Sequence, residues 1–324
     1  MSSKIKFFSP LICLTHLCNL KCIYCYQQEK DSSKMTFETA IKCLEEILDS
    51  ASENQYEKTV ISFIGGEPLL EFSLLKSVVE YAKNRYDLQH VSFFATTNGT
   101  LLTDEMKLYF VENKDIIRLG LSLDGAKDTQ DYNRSNSFDI IDLDFFRNTW
   151  KNPSVKMTLS EFSLTRLADD IQFLHTQGFV VHGANLANGN FDWDKDENIA
   201  ILIPQLTKLV DFYVENCNLQ PCAFFDKKLM NCEILYKKPK RICGIGVSSH
   251  FYDTDGSKYP CAYATPLSMS SEQLAKLTKI DFSDFNSSAV TKMGALFHSC
   301  NAVTEINFSN FNTSKVTQIG RAHV

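Results

Sequence analysis

The sequence predicts an α/β fold, an open and partial barrel of six strand–helix units, and three observations carry that expectation. Strand-like apolar runs alternate with amphipathic helical stretches up to about residue 190. Each crossover helix returns the chain to the same end of the sheet, so the strands are parallel and the helices cover them. The glycine- and asparagine-bearing segments able to carry chemistry each follow a strand-like run directly, where functional groups of such sheets gather. Six units instead of eight argue against a closed barrel.

The elements follow in order. Residues 7–14 read as the first strand. Residues 36–50 read as a helix, because Phe37, Ala40, Ile41, Leu44, Ile47 and Leu48 recur every three or four positions and form one apolar stripe. Strands are then expected at 59–64, 90–95, 117–123, 155–159 and 179–182, with helices at 70–86, 103–112, 140–150 and 163–177 between them. A last helix at 199–216 ends the regular alternation.

A chain of 324 residues is long for one core and short for three domains. The expected organisation is the partial barrel over 1–195, a linker helix with a small cysteine-containing C-terminal extension over 196–268, and a short repeat tail over 269–324. A composition of 44% apolar and 22% charged residues with net charge -6 excludes a disordered chain and gives no basic footprint for nucleic acid. Lys4 and Lys6 ahead of Phe7, Phe8, Leu11, Ile12 and Leu14 imitate a signal peptide, but Pro10 interrupts the stretch and no cleavage site follows. No run approaches the roughly 18 apolar residues of a membrane span, so no membrane partner is expected. Eleven cysteines, three of them clustered, fit a reducing cytoplasm better than a disulfide framework.

That cluster is Cys18, Cys22 and Cys25, spaced C-x3-C-x2-C just after the first strand. Thiolates hold iron–sulfur clusters, and three sulfurs on a four-iron cube leave one iron open to chelate a substrate or cofactor. The competing reading is a zinc knuckle, which needs four protein ligands and has His16 as its nearest spare donor. Further on, Gly65-Gly66-Glu67-Pro68, Thr97-Asn98-Gly99 and Ser122-Leu123-Asp124-Gly125 each follow an apolar run, and Tyr24 precedes the last cysteine of the trio.

In this order, over roughly residues 8–262, the series resembles the radical S-adenosylmethionine (SAM) enzymes. The resemblance implies a radical SAM barrel, a 4Fe–4S cluster on Cys18, Cys22 and Cys25, and reductive cleavage of SAM to a 5′-deoxyadenosyl radical. It also implies SAM contacts by Tyr24 near the adenine, by Gly65, Gly66, Glu67 and Pro68 at the methionine end, by Ser122 at the ribose and by Arg134 at the carboxylate. Asn98 matches a motif position as well. Members commonly place a His-Asp pair before that arginine; here Gln130 and Asp131 stand there, which leaves the local network without its histidine. The partners implied are a peptide or protein substrate and a one-electron reductant such as flavodoxin or ferredoxin.

Cys243, Gly256 and Cys261, with Tyr259 and Pro260 before the second cysteine, resemble the opening of a SPASM domain, the extension that carries auxiliary Fe–S clusters in peptide-modifying relatives. Only Cys300 follows Cys261, so a full set of auxiliary ligands cannot be built; Cys222 and Cys232 are spare candidates. Sulfatase-maturing relatives usually carry an aspartate directly after that second cysteine, as the base for formylglycine formation. Ala262 cannot act as a base, which favours a thioether or carbon–carbon crosslink in a ribosomally made peptide over formylglycine formation. No side chain identifies itself as the substrate base or radical relay.

From Leu277 the sequence repeats with a period of 26, LTKIDFSDFNSSAVTKMG being answered by VTEINFSNFNTSKVTQIG from Val303. Such a period signals a solenoid resembling the leucine-rich-type repeats of bacterial surface proteins, of which about three units are needed for stability and fewer than two are present. The closing Ile-Gly-Arg-Ala-His-Val matches the translation of a common sequencing adapter, so residues 277–324 are expected to be a poorly packed, truncated assembly artefact. A reading of another class remains: a zinc-knuckle interaction protein with adhesion-type repeats.

Overall fold

The computed structural model describes residues 7–27, 30–187, 191–193, 195–225, 249–270 and 272, together with two short strands at 279–281 and 305–307. The elements in chain order are β1 (Phe7–Phe8), β2 (Leu11–Thr15), α1 (Phe37–Glu53), β3 (Lys58–Gly65), α2 (Phe72–Arg85), β4 (Val91–Thr97), α3 (Asp104–Glu112), β5 (Ile117–Ser122) and α4 (Lys127–Asn133). They continue with α5 (Leu143–Thr149), β6 (Ser154–Leu159), α6 (Glu161–Leu164), α7 (Leu167–Thr176), β7 (Val180–Leu186), α8 (Asp196–Glu215), β8 (Phe251–Tyr252), β9 (Lys258–Tyr259), β10 (Lys279–Asp281) and β11 (Glu305–Asn307).

The six expected strands are all present, parallel, and laid side by side in chain order from β2 to β7. Strand alternation sorts their two faces. Phe63, Ala95, Leu121 and Met157 are buried with the helices in the core, where Phe63 and Phe93 stack at 5.7 Å. Their neighbours Ile64, Thr96, Ser122 and Lys156 point the other way and line a cavity.

The structure refines several boundaries for local physical reasons. Pro10, which has no amide hydrogen to give the ladder, separates β1 from β2, although its carbonyl still accepts from Ser62 N at 2.9 Å. The helix expected at 140–150 starts at Leu143, because Asp142 caps it by accepting from Phe145 N at 3.0 Å. The 163–177 helix divides into α6 and α7, α6 being opened by a Ser160/Ser163 capping box. Helix α4, seven residues long, has too little apolar periodicity to be seen in sequence.

The C-terminal extension is not a separate layer. Strand β8 pairs in parallel with β2, with Leu11 opposite Phe251, and β9 folds back on it antiparallel, so the hairpin extends the barrel sheet. Gly256 turns the hairpin at φ +86, and a β-carbon there would lie 3.1 Å from Thr39 on α1. In the tail, β10 and β11 pair in parallel with Lys279 opposite Glu305, one sequence period apart. The rest of the tail lies outside the described residues. Among the described residues no helix is long and apolar enough to cross a membrane.

Candidate functional site

A cavity of about 340 Å³ opens at the carboxyl ends of the barrel strands, within the roughly 300–1,000 Å³ of small-ligand sites. Cys18, Cys22, Tyr24 and Cys25 line it from the loop after β2, Gly65, Gly66 and Glu67 from the end of β3, and Asn98 from the end of β4. Ser122 closes β5, Arg134 follows α4, and Cys261 reaches in from beyond the hairpin. Pro68 stands outside this lining. It is buried at the first position of a 3-10 turn, Pro68–Glu71, where a missing amide hydrogen costs nothing. Cys243, like Cys232 and Cys300, lies outside the described residues.

The trio loop is held from several sides. Ile23 N donates to the Asn133 carbonyl at 3.1 Å, Lys21 N to Ser135 Oγ at 2.9 Å, and Asn98 Nδ2 to Asn19 Oδ1 at 2.9 Å. Burial pushes the Cys18 and Cys22 thiols above the ordinary cysteine range, a cost that bound metal reverses by deprotonating its thiol ligands. Three thiols on one loop fit three corners of a four-iron cube and leave the fourth facing the cavity they line, whereas a closed zinc site needs a fourth protein ligand.

Gly65 and Gly66 owe their identity to backbone packing. A β-carbon at Gly65 would sit 2.4 Å from the Thr15 carbonyl oxygen, and one at Gly66 2.2 Å from that of Leu17. The strand end is thereby pressed against the base of the trio loop, where Gly66 N and Glu67 N donate to the Thr15 and Leu17 carbonyls, both at 2.8 Å. The expected closeness to a ligand's methionine end thus comes second to a closeness to the chain itself. Glu67, 1% exposed, accepts from Leu69 N at 3.1 Å, Thr97 Oγ1 at 2.8 Å and Asn98 N at 2.7 Å. One carboxylate ties the ends of β3 and β4 together. Desolvation raises its pKa to about 6, against the pull of those donors.

Asp124, fully buried, does the same on the far side. It accepts from Tyr24 Oη, from Asn133 Nδ2 at 3.1 Å, from Arg134 Nη2 at 3.0 Å and from Thr158 N at 2.9 Å. The Arg134 guanidinium also lies 5.3 Å from the Tyr24 ring centre, and its Nε has no partner. Gln130, standing where relatives carry histidine, is fully buried; its Oε1 accepts from Asp124 N and its Nε2 donates to Ser137 Oγ, both at 2.9 Å. The departure from the family pattern is therefore filled by a neutral clamp on the same segment.

Sequence reasoning missed Lys156. It projects from β6 into the cavity and makes no ion pair among the described residues; desolvation and the nearby Arg134 lower its pKa. The available signal was the strict alternation of Ser154–Leu159, which puts Lys156 on one face with Ser154 and Thr158. His16 was read only as a spare zinc donor. Its Nδ1 lies 2.7 Å from Asp31 Oδ1 and its Nε2 2.6 Å from Asp253 Oδ1, so both nitrogens donate to carboxylates. Burial lowers the imidazole pKa, but the two acids outweigh it and the net shift is upward. Among the described residues, Cys13, His16 and Asp253 form a set of metal-ligating side chains whose donor atoms lie within 4.8 Å of one another.

Comparison with known proteins bears on this arrangement directly. Residues 12–142 match the model of the Radical SAM superfamily. The chain carries a radical SAM domain. An uncharacterised protein of Methanocaldococcus jannaschii is 35% identical over 114 residues, covering 35% of this chain, which spans 37% of that protein's length. A cysteine-type anaerobic sulfatase-maturating enzyme of Clostridium novyi is 25% identical over 298 residues, or 85% of this chain and 78% of the relative. The solved structure of anSMEcpe with bound AdoMet and the Kp18Cys peptide superposes with a TM-score of 0.65 over 83% of this chain and 80% of that one. At 21% identity that likeness is one of fold, and it covers more of the chain than residues 12–142.

Proposed function

We propose that the chain is a radical SAM enzyme that holds a 4Fe–4S cluster on Cys18, Cys22 and Cys25 and SAM in the adjoining cavity, and that it modifies a ribosomally made peptide or protein. The single observation carrying this reading is the convergence of three thiols with the ends of β3, β4 and β5 on one cavity. The bound cluster and SAM supply a one-electron route to a 5′-deoxyadenosyl radical.

The chain's own residues bind and orient. Glu67 and Asp124 fix the loops, and Gly65 and Gly66 bring the β3 end against the trio loop. Ser122 offers a hydroxyl at the cavity floor. Arg134 is neutralised by Asp124, whereas Lys156 lines the same cavity with no ion pair among the described residues, which supports it as a further partner for the SAM carboxylate. The unpartnered Arg134 Nε adds a second donor. Cys261 lines the same cavity, which supports its reading as an auxiliary ligand.

Ala262 also lines the cavity, so the position where sulfatase-maturing relatives usually carry their base faces the reaction space without one. That favours crosslinking over formylglycine formation; the likeness to the C. novyi enzyme keeps formylglycine formation as the second reading. A flavodoxin or ferredoxin is the proposed electron donor and the cytoplasm the proposed compartment. Anaerobic reconstitution tests the whole. Wild type is expected to take up about four irons at the trio and to release 5′-deoxyadenosine from SAM on reduction. Replacing Cys18, Cys22 and Cys25 together by alanine should abolish both, whereas stoichiometric zinc at the trio with no cleavage would refute the proposal.

A further inference from the structure

The C-terminal hairpin meets the trio loop at both of its ends. At the near end, His16 stands two residues before Cys18, is 6% exposed, and bonds Asp253 Oδ1 at 2.6 Å, with Thr254 Oγ1 3.4 Å from the same nitrogen. Asp253 also organises the turn, its Oδ1 accepting from Thr254 N at 2.7 Å and its own N donating to the Ser257 carbonyl at 2.9 Å. At the far end, Tyr26, next to Cys25, packs its ring against Tyr263 with centroids 4.4 Å apart. Between those two contacts the segment that follows β9 delivers Cys261 to the cavity. The other nitrogen of His16 is held by Asp31, which closes the Asp31–Ser33 turn on the trio loop's exit by accepting from Ser33 N at 2.8 Å.

We infer that His16 and Asp253 form a latch that fastens the C-terminal hairpin to the trio loop, so that the hairpin wall of the cavity is positioned by a side chain adjoining the cluster thiols. Both are positioning residues. A charge-assisted pair removed from water is lost asymmetrically: without Asp253 the buried imidazole nitrogen keeps only the longer contact to Thr254 Oγ1, and the local structure opens to hydrate it. The pair joins positions 237 residues apart. Glu46 on α1 gives the hairpin a second, more exposed anchorage through Tyr252 and Lys258, so losing the latch should loosen the hairpin without releasing the barrel.

The test is amide hydrogen exchange on the anaerobically reconstituted full chain, with Asp253→Ala and Asp253→Asn beside wild type. Asp253→Ala is expected to exchange peptides covering 251–259 at least about tenfold faster while β3 to β5 keep their protection. Asp253→Asn retains an acceptor oxygen and should restore wild-type exchange. The kinetic arm rests on the proposed function and uses SAM alone as the probe. There the alanine variant should raise the apparent KM for SAM about fivefold to tenfold with kcat within about twofold, because a wall moves and the trio does not. Unchanged hairpin exchange in Asp253→Ala overturns the latch. If alanine loosens the entire barrel, asparagine decides: wild-type exchange upholds the proposal and accelerated hairpin exchange defeats it. Stoichiometric zinc that departs with Asp253 would make Cys13, His16 and Asp253 a metal site instead and overturn the latch too. A wild type that cleaves no SAM removes the proposed function, and exchange still decides the latch.

Discussion

The barrel loops and the C-terminal hairpin reach the same cavity but are held in place by different kinds of contact. The loops after β3 and β5 carry their own fasteners: Glu67 binds the segment that follows β4, and Asp124 binds Asn133 and Arg134 ten residues on or fewer. The hairpin carries almost none. Its fasteners, His16 and Glu46, come from the opposite end of the chain. A region that brings its own anchors can be recognised from a short motif, while a region anchored from afar is visible only once the chain is folded.

The largest effect that would sharpen this contrast is expected at Asp124. Asp124→Ala leaves the buried Arg134 charge without its partner, and breaking such a pair costs about 3–5 kcal/mol. Urea unfolding of the apo chain reads it, and a loss under about 1 kcal/mol would show that the loop after β5 does not depend on its own acid. A middle-sized effect is expected at Glu67. Its folded pKa of about 6 exceeds the ordinary value of 4.5, so the folded state binds the proton first as pH falls. Stability from this group is therefore highest below pH 4.5 and declines as pH rises through 6, by about 2 kcal/mol at most. The difference between wild-type and Glu67→Gln melting curves across that window should show the slope in wild type only. The smallest effect belongs to the hairpin's exposed anchorage: Glu46→Ala should cost about 1 kcal/mol or less in global unfolding, since Lys258 and Glu46 are both partly solvated. A cost as large as that of Asp124→Ala would erase the distinction between the two regions.

Much of the barrel was legible because its signals are local. The 36–50 stripe became α1 with Thr36 as its cap, and four of the strand ends lie where the motifs begin. Tyr24, Gly65, Gly66, Glu67, Asn98, Ser122 and Arg134 were found by motif and all line one cavity. Their immediate partners were less visible. Nothing in Gly65-Gly66 says that Thr15 and Leu17 press on them, and nothing in Arg134 says that Asp124 already neutralises it. Lys156 was missed because a lysine on a strand reads as an outward face, whereas this strand turns its polar side to the cavity. The pairing of β8 with β2 was beyond reach, two-residue strands having no period to read.

That pairing has a bearing on how the chain is made. Strands β2 to β7 lie in the order in which they leave the ribosome, so each can add to its predecessor at once. The outer side of β2 is the exception: it emerges first, and its partner β8 emerges only after α8. The 33–35 segment covers the end of this edge beside the cysteine-bearing loop early, but throughout the synthesis of the barrel the Leu11–Ile12 part waits with unsatisfied amides and carbonyls, the kind of edge that invites mispairing. Nascent chains stopped before Phe251 should therefore be the aggregation-prone species, and docking of the hairpin is the step that ends their exposure.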